Sequence, residues 1–163
     1  MTEERQNAGE GGKSGQLKIF FGYAAGVGKT YAMLQAALTA EERGMDVVIG
    51  SIAPYRSLED TALAERLRAM EWLEEFDLDR AIRRKPDLII MDDLACENPK
   101  GSRHSRRYQD IRELLKAGIS VYTTVSAQNI ESLNDIVTAI TRVPVKDRIP
   151  DSVFDHADQV ELV

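Results

Sequence analysis

The chain has 163 residues, 43% of them apolar, and 27 acidic side chains against 21 Lys and Arg give a formal net charge of -6. That length suits one domain with a core large enough to need no metal or disulfide staple, and the acidic balance argues against a general nucleic-acid coat. The single cysteine, Cys96, excludes an internal disulfide. The longest strictly apolar run, Leu88–Met91, is far too short to cross a bilayer, so composition leads us to expect a soluble cytoplasmic domain.

Residues 1–16 hold four of the eleven glycines and few apolar side chains, which predicts a flexible polar tail ahead of one domain over 17–163. Leu17, Ile19, Phe20 and Phe21, closed by Gly22, read as a buried strand. Met33, Ala36, Ala37 and Ala40 recur at helical spacing over 30–43, with Gly44 as the stop. Val47–Ile49 is a second strand. Leu63, Leu67 and Met70 line a second helix. Asp77–Lys85 reads as a short helix ended by Pro86, and Leu88–Met91 as a third strand. Tyr108, Ile111, Leu114 and Leu115 mark a helix stopped at Gly118. Ile119–Val125, rich in β-branched residues, is a fourth strand. A further helix runs through Ile130, Leu133, Val137 and Ile140, and Gln159–Val163 is a fifth, edge strand. Strands alternating with helices imply a doubly wound, mainly parallel α/β sheet covered on both faces. Ligands of such sheets bind beyond the carboxyl ends of the strands.

The first strand runs directly into Gly22-Tyr23-Ala24-Ala25-Gly26-Val27-Gly28-Lys29-Thr30, and a helix follows. Phosphates need several donors converging on a small concavity. Glycines let successive backbone N–H groups point inward, and a helix N-terminus adds partial positive charge. A Lys in this position reaches the β and γ phosphates, and the Thr hydroxyl ligates Mg²⁺. Ala25, Gly26, Val27, Gly28, Lys29, Thr30 and Tyr31 are therefore the expected nucleotide-binding residues. The usual pattern has a Gly where this chain has Tyr23. The bland alternative is a glycine-rich strand-to-helix turn with an exposed Lys.

Leu88–Met91 ends in Asp92-Asp93. A carboxylate at the end of a buried strand is costly unless solvated or matched by a cation, and beside a phosphate turn Asp92 is expected to hold Mg²⁺ together with Thr30. Asp93 is a candidate for polarising an attacking water, although its short side chain suits slow or absent hydrolysis. Among Lys100, Arg103, Arg106 and Arg107, Arg103 is favoured as a phosphate-contacting arginine. Thr123 and Thr124 end a strand near the expected site. Arg80, Arg83, Arg84 and Lys85 read as a cationic helix end, and Asn129 as a helix N-cap. Cys96 lacks the neighbours of a zinc site or a thiol nucleophile.

These residues and several later segments resemble the N-terminal cytoplasmic domain of KdpD-type potassium sensor histidine kinases. The segments are Lys18–Leu34 (KIFFGYAAGVGKTYAML), Gly101–Asp110 (GSRHSRRYQD), Ala117–Thr124 (AGISVYTT), Glu131–Asp135 (ESLND) and Val145–Val163 (VKDRIPDSVFDHADQVELV). The family's own phosphate turn likewise lacks a Gly at the position of Tyr23. The resemblance implies a P-loop NTPase-like fold that binds ATP and Mg²⁺ and regulates a two-component sensor kinase controlling potassium uptake. This chain has Asp92-Asp93-Leu94-Ala95-Cys96 where the family has Asp-Glu-Leu-Ala-His. It has Ser126-Ala127-Gln128-Asn129 in place of Asn-Val-Gln-His, and Ile52-Ala53-Pro54-Tyr55-Arg56 in place of Glu-Thr-His-Gly-Arg. All three changes fall at strand carboxyl ends.

The expectation is an ATP-binding regulatory domain with weak or no ATP hydrolysis, working on a sensor-kinase or other protein module, not on nucleic acid, and without inserting directly into a membrane. His104 and His156, the only histidines, lie in no phosphoacceptor motif, so histidine-kinase autophosphorylation is not expected. The chain reads as the nucleotide-responsive part of a sensor. The alternatives are a stand-alone ATP-binding scaffold without turnover, or a small-molecule P-loop transferase of the corrinoid adenosyltransferase kind. Strand, GKT turn and Gly44-Met45-Asp46-Val47 favour the transferase, and the GSRH and ESLND segments oppose it.

Overall fold

The computed structural model describes residues 14–23, 28–52, 62–73, 76–131, 133, 139–140 and 148–163. In it the apolar run Leu17–Gly22 becomes strand β1, followed by helix α1 (Lys29–Glu42), β2 (Val47–Ser51), α2 (Ala62–Arg68), β3 (Glu71–Trp72) and α3 (Leu78–Arg84). Then come β4 (Leu88–Met91), α4 (Arg107–Lys116), β5 (Ser120–Ser126), α5 (Asp151–Asp155) and β6 (Gln159–Leu162). The expected helix through Ile130 and Ile140 is helical at residues 131, 133, 139 and 140, with Val137 outside the described residues. Ile140 is 73% exposed and so does not join the core. Among the described residues no helix is long and apolar enough to cross a membrane.

The helix ends follow from their chemistry. After α1, Gly44 takes φ +95; its N–H reaches Glu41 O while Met45 N–H reaches Ala40 O, the paired bonds of a Schellman stop. Asp77 caps α3 by accepting from Arg80 N at 3.2 Å. Gln109 Oε1 reaches back to Arg106 N at the start of α4 (3.0 Å), satisfying one of the donors a helix N-terminus leaves open.

The six strands form one sheet in the order β3-β2-β4-β5-β1-β6, and every pairing is parallel. Alternation along each strand divides the core. Phe20, Ile49, Leu88 and Ile90 face Met33, Leu34, Ala37 and Leu38 of α1 on one side. Ile19, Val48, Ile89, Met91 and Val121 face Leu78, Ala81, Ile111 and Leu114 of α3 and α4 on the other. Burial on both faces explains why β4 reads as an unbroken apolar run with every residue at 0% exposure. Truncating Ile89 or Ile90 to Ala would cost about 2–5 kcal/mol.

Two features depart from the periodicity reading. The two-residue β3 is paired to β2 through Val48 and Ile49; a pair of residues shows no period. The described end of the expected tail is also fixed. Gly15 N donates to Leu115 O at 2.8 Å, and a Cβ on Gly15 would fall 1.9 Å from Ile119 O, so the chain passes there only as glycine.

Candidate functional site

The strand order sets β5 between β1 and β4, so the ends of these three strands and the start of α1 meet at one point. Gly28, the residue before α1, takes φ +98, the left-handed region that favours glycine. Lys29 and Thr30, the first two residues of α1, are 8% and 2% exposed. Ala25, Gly26 and Val27 of the expected nucleotide-binding set lie outside the described residues. Tyr31 is 45% exposed and its phenol oxygen accepts from Gln35 Nε2.

Asp92, one residue past β4 and 3% exposed, is the hub. Thr30 Oγ1 donates to its carboxylate at 3.1 and 3.3 Å. Thr124 Oγ1 donates to Oδ1 at 2.6 Å, and Asp93 N lies 3.1 Å from the same oxygen. Asp93 N is also 3.0 Å from Thr124 Oγ1. Such charge-assisted bonds allow a carboxylate to be buried here. Burial lowers the pKa of the Lys29 ammonium, opposed by the charges of Asp92 and Asp93. Buried lysine, hydroxyl and carboxylate thus gather at a helix N-terminus, the part of a fold best suited to receive an anion with its cation.

Asp93 takes φ +59; its side chain is exposed with its charge acting on Lys29, while its amide points back at Asp92. The two threonines at the end of β5 separate by strand parity. Thr124 faces Asp92, whereas Thr123 is fully buried and its hydroxyl has no hydrogen-bond partner. Of the four cations after β4, Arg107 is the one bonded to the hub, with Nη1 donating to Asp92 O at 2.8 Å and to Ser51 Oγ at 2.9 Å. Arg103 is instead held by Asp79 and by Glu113 at 3.0 Å. Ser51 escaped the sequence reading; its position at the carboxyl end of β2 was the available signal. Asn129 ends a 3-10 turn, Ala127–Asn129, and its carbonyl accepts from Ile149 N at 2.7 Å.

The Gly101–Asp110 segment folds onto the start of α4. Asn98 Nδ2 donates to His104 O (3.0 Å) and Asp110 Oδ2 (2.6 Å), and His104 Nε2 lies 2.8 Å from Glu113 Oε2. Glu97 and Arg106 form an isolated antiparallel bridge across the loop.

Comparison with known proteins gives a consistent picture. The profile of the family described as "Osmosensitive K+ channel His kinase sensor domain" matches residues 13–163. The sensor protein KdpD of Clostridium acetobutylicum is 53% identical over 158 residues, covering 91% of this chain and 18% of that protein. The sensor protein KdpD of Escherichia coli is 47% identical over 158 residues, again 91% and 18%. A putative sensor protein KdpD of Synechocystis is 42% identical over 161 residues, 93% of this chain and 43% of the relative. The chain therefore spans less than half the length of each of these curated relatives. Among solved structures, the flagellar accessory protein FlaH of Methanocaldococcus jannaschii overlays with TM-score 0.47 at 14% identity, covering 84% of this chain and 73% of that one.

Proposed function

The chain belongs to the family of KdpD sensor domains, and from that premise we propose that it is a P-loop domain that binds Mg-ATP at Lys29, Thr30 and Asp92. Its nucleotide occupancy would bias a sensor-kinase partner concerned with potassium uptake. The observation that carries the reading is the convergence of Lys29, Thr30 and Asp92, three residues from two distant segments, at one helix N-terminus.

The donor set fits the cation. Mg²⁺ favours hard oxygen ligands and usually takes one or two from protein, the rest from water and substrate phosphates. The Thr30 hydroxyl and the Asp92 carboxylate are such a pair, and Lys29 supplies the charge for the β and γ phosphates. When bound, Mg²⁺ would neutralise phosphate charge; the protein's own part is to hold Asp92 in place through Thr124 and the Asp93 amide.

Turnover would be weak or absent, because exposed Asp93 is the candidate for orienting water and is short. The same observation supports a scaffold that binds ATP without consuming it. Purified protein assayed for Mg-ATP binding by calorimetry and for phosphate release decides between them. Release no faster than that of a Lys29→Ala control, with binding intact, supports the scaffold. The absence of binding would remove both readings.

A further inference from the structure

We infer that the domain carries a second ligand site, beside the Lys29–Thr30–Asp92 site and separate from it, for a small phosphate ester with a planar ring, the nucleoside monophosphate class. A cavity of about 940 Å³ opens beyond the carboxyl ends of β2 and β3, between the first turns of α3 and α4. Ser51, Trp72, Phe76, Lys100 and Arg107 are in its wall, and the described residues that line it do not include Lys29, Thr30 or Asp92. That volume lies in the range of small-molecule sites and far exceeds what one oxyanion needs.

The charges in the wall are unequal in what they leave available. Asp77 caps α3, Asp79 is engaged by Arg103, and Asp110 accepts from Asn98 at 2.6 Å and is 4% exposed. Arg103 is likewise spent on Asp79 and Glu113. Arg107 differs. Its acceptors, Ser51 Oγ and the Asp92 carbonyl, are neutral, no carboxylate among the described residues lies within salt-bridge distance of it although its charge is felt by Asp110, and its Nε is buried without an acceptor. Both bonds are made by Nη1, which leaves Nη2 to donate a charge-assisted bond to an entering oxyanion. Lys100, exposed at the rim, adds a second positive charge.

The rest of the volume suits a ring. Trp72 is 43% exposed, and its indole Nε1 donates to Leu67 O at 2.8 Å, which fixes the plane of the ring. Phe76 stands in the same wall. Aromatic faces of this kind stack planar ligands. Because the same guanidinium holds the Asp92 carbonyl, a ligand bound here would act on the position of Asp92.

Trp72 is the only tryptophan, so its fluorescence in the full chain reports on this cavity directly. The titration is made with AMP on Lys29→Ala protein, which separates the result from the phosphate-turn reading: that variant removes the Mg-ATP site and leaves the cavity wall intact. Saturable quenching by AMP is expected, with adenosine and inorganic phosphate each weaker by about tenfold or more. Arg107→Gln, and the exposed charge reversal Lys100→Glu, which disturbs no packed contact, should both weaken AMP binding. No saturable change with AMP in the Lys29→Ala protein, equal binding of adenosine, or unchanged affinity in Lys100→Glu would overturn the assignment.

Discussion

Thr30 Oγ1 lies 3.1 and 3.3 Å from the two carboxylate oxygens of Asp92, joining the first turn of α1 to the end of β4 across 62 positions of sequence. On the proposed reading these two side chains also share the Mg²⁺. Asp92→Asn keeps the shape and an acceptor for Thr124 but removes the negative charge. Calorimetry of this variant should show ATP affinity that no longer rises on adding Mg²⁺; an undiminished Mg²⁺ dependence would place the cation elsewhere.

Thr124→Val is nearly isosteric and removes one hydroxyl. Asp92 then loses its 2.6 Å donor and the Asp93 amide loses an acceptor. Leaving buried polar groups unmatched costs about 1–3 kcal/mol, so urea unfolding should show that loss. Thr123→Val, in contrast, replaces a buried hydroxyl with no hydrogen-bond partner and should be neutral or stabilising.

Arg84 bridges Asp46 and Glu71 at 2.7 and 2.9 Å, tying the start of β2 to β3. Its hydrogen bonds hold both carboxylates below their usual pKa. A lowered carboxylate pKa means the unfolded chain takes up protons first as pH falls, so this contribution is present above the usual carboxylate range and is lost on acidification through it. The three side chains are a third to a half exposed. After screening by water, Arg84→Ala should therefore cost no more than about 1 kcal/mol at pH 7, and little in acid or high salt. An effect that persists in acid would point to lost packing instead.

Asp110 runs the opposite way. Burial raises its pKa, partly offset by the Asn98 hydrogen bond and by His104 and Arg107. The folded state keeps its proton to higher pH than the unfolded chain, so stability falls as pH rises from the usual carboxylate value to the raised one. Asp110→Asn should therefore flatten that part of the pH–stability curve measured by thermal unfolding, and an unchanged slope would exclude the assignment.

How far the sequence could be read depended on how local each signal was. Strand β1 with the start of α1, and the apolar strand ending at Asp92, each lie within a few residues, and both were legible. That Thr30 and Asp92 touch depends on the sheet order, a product of parallel crossovers that no local pattern encodes. Arg103 looked nearer to the site along the chain, yet Arg107 begins α4 and faces Asp92, because the loop between them folds back on Glu113. Thr123 and Thr124 were indistinguishable until strand parity was fixed by the packing of Val121 and Tyr122 on opposite faces of the sheet.

The most direct test of the central claim is thermal unfolding of the full chain with and without Mg-ATP, alongside Lys29→Ala. Binding predicts stabilisation of about 2.7 kcal/mol when ligand stands at a hundred times its dissociation constant, and none in the variant. An unmutated protein whose melting temperature does not move with Mg-ATP, or a Lys29→Ala protein stabilised equally, would contradict it.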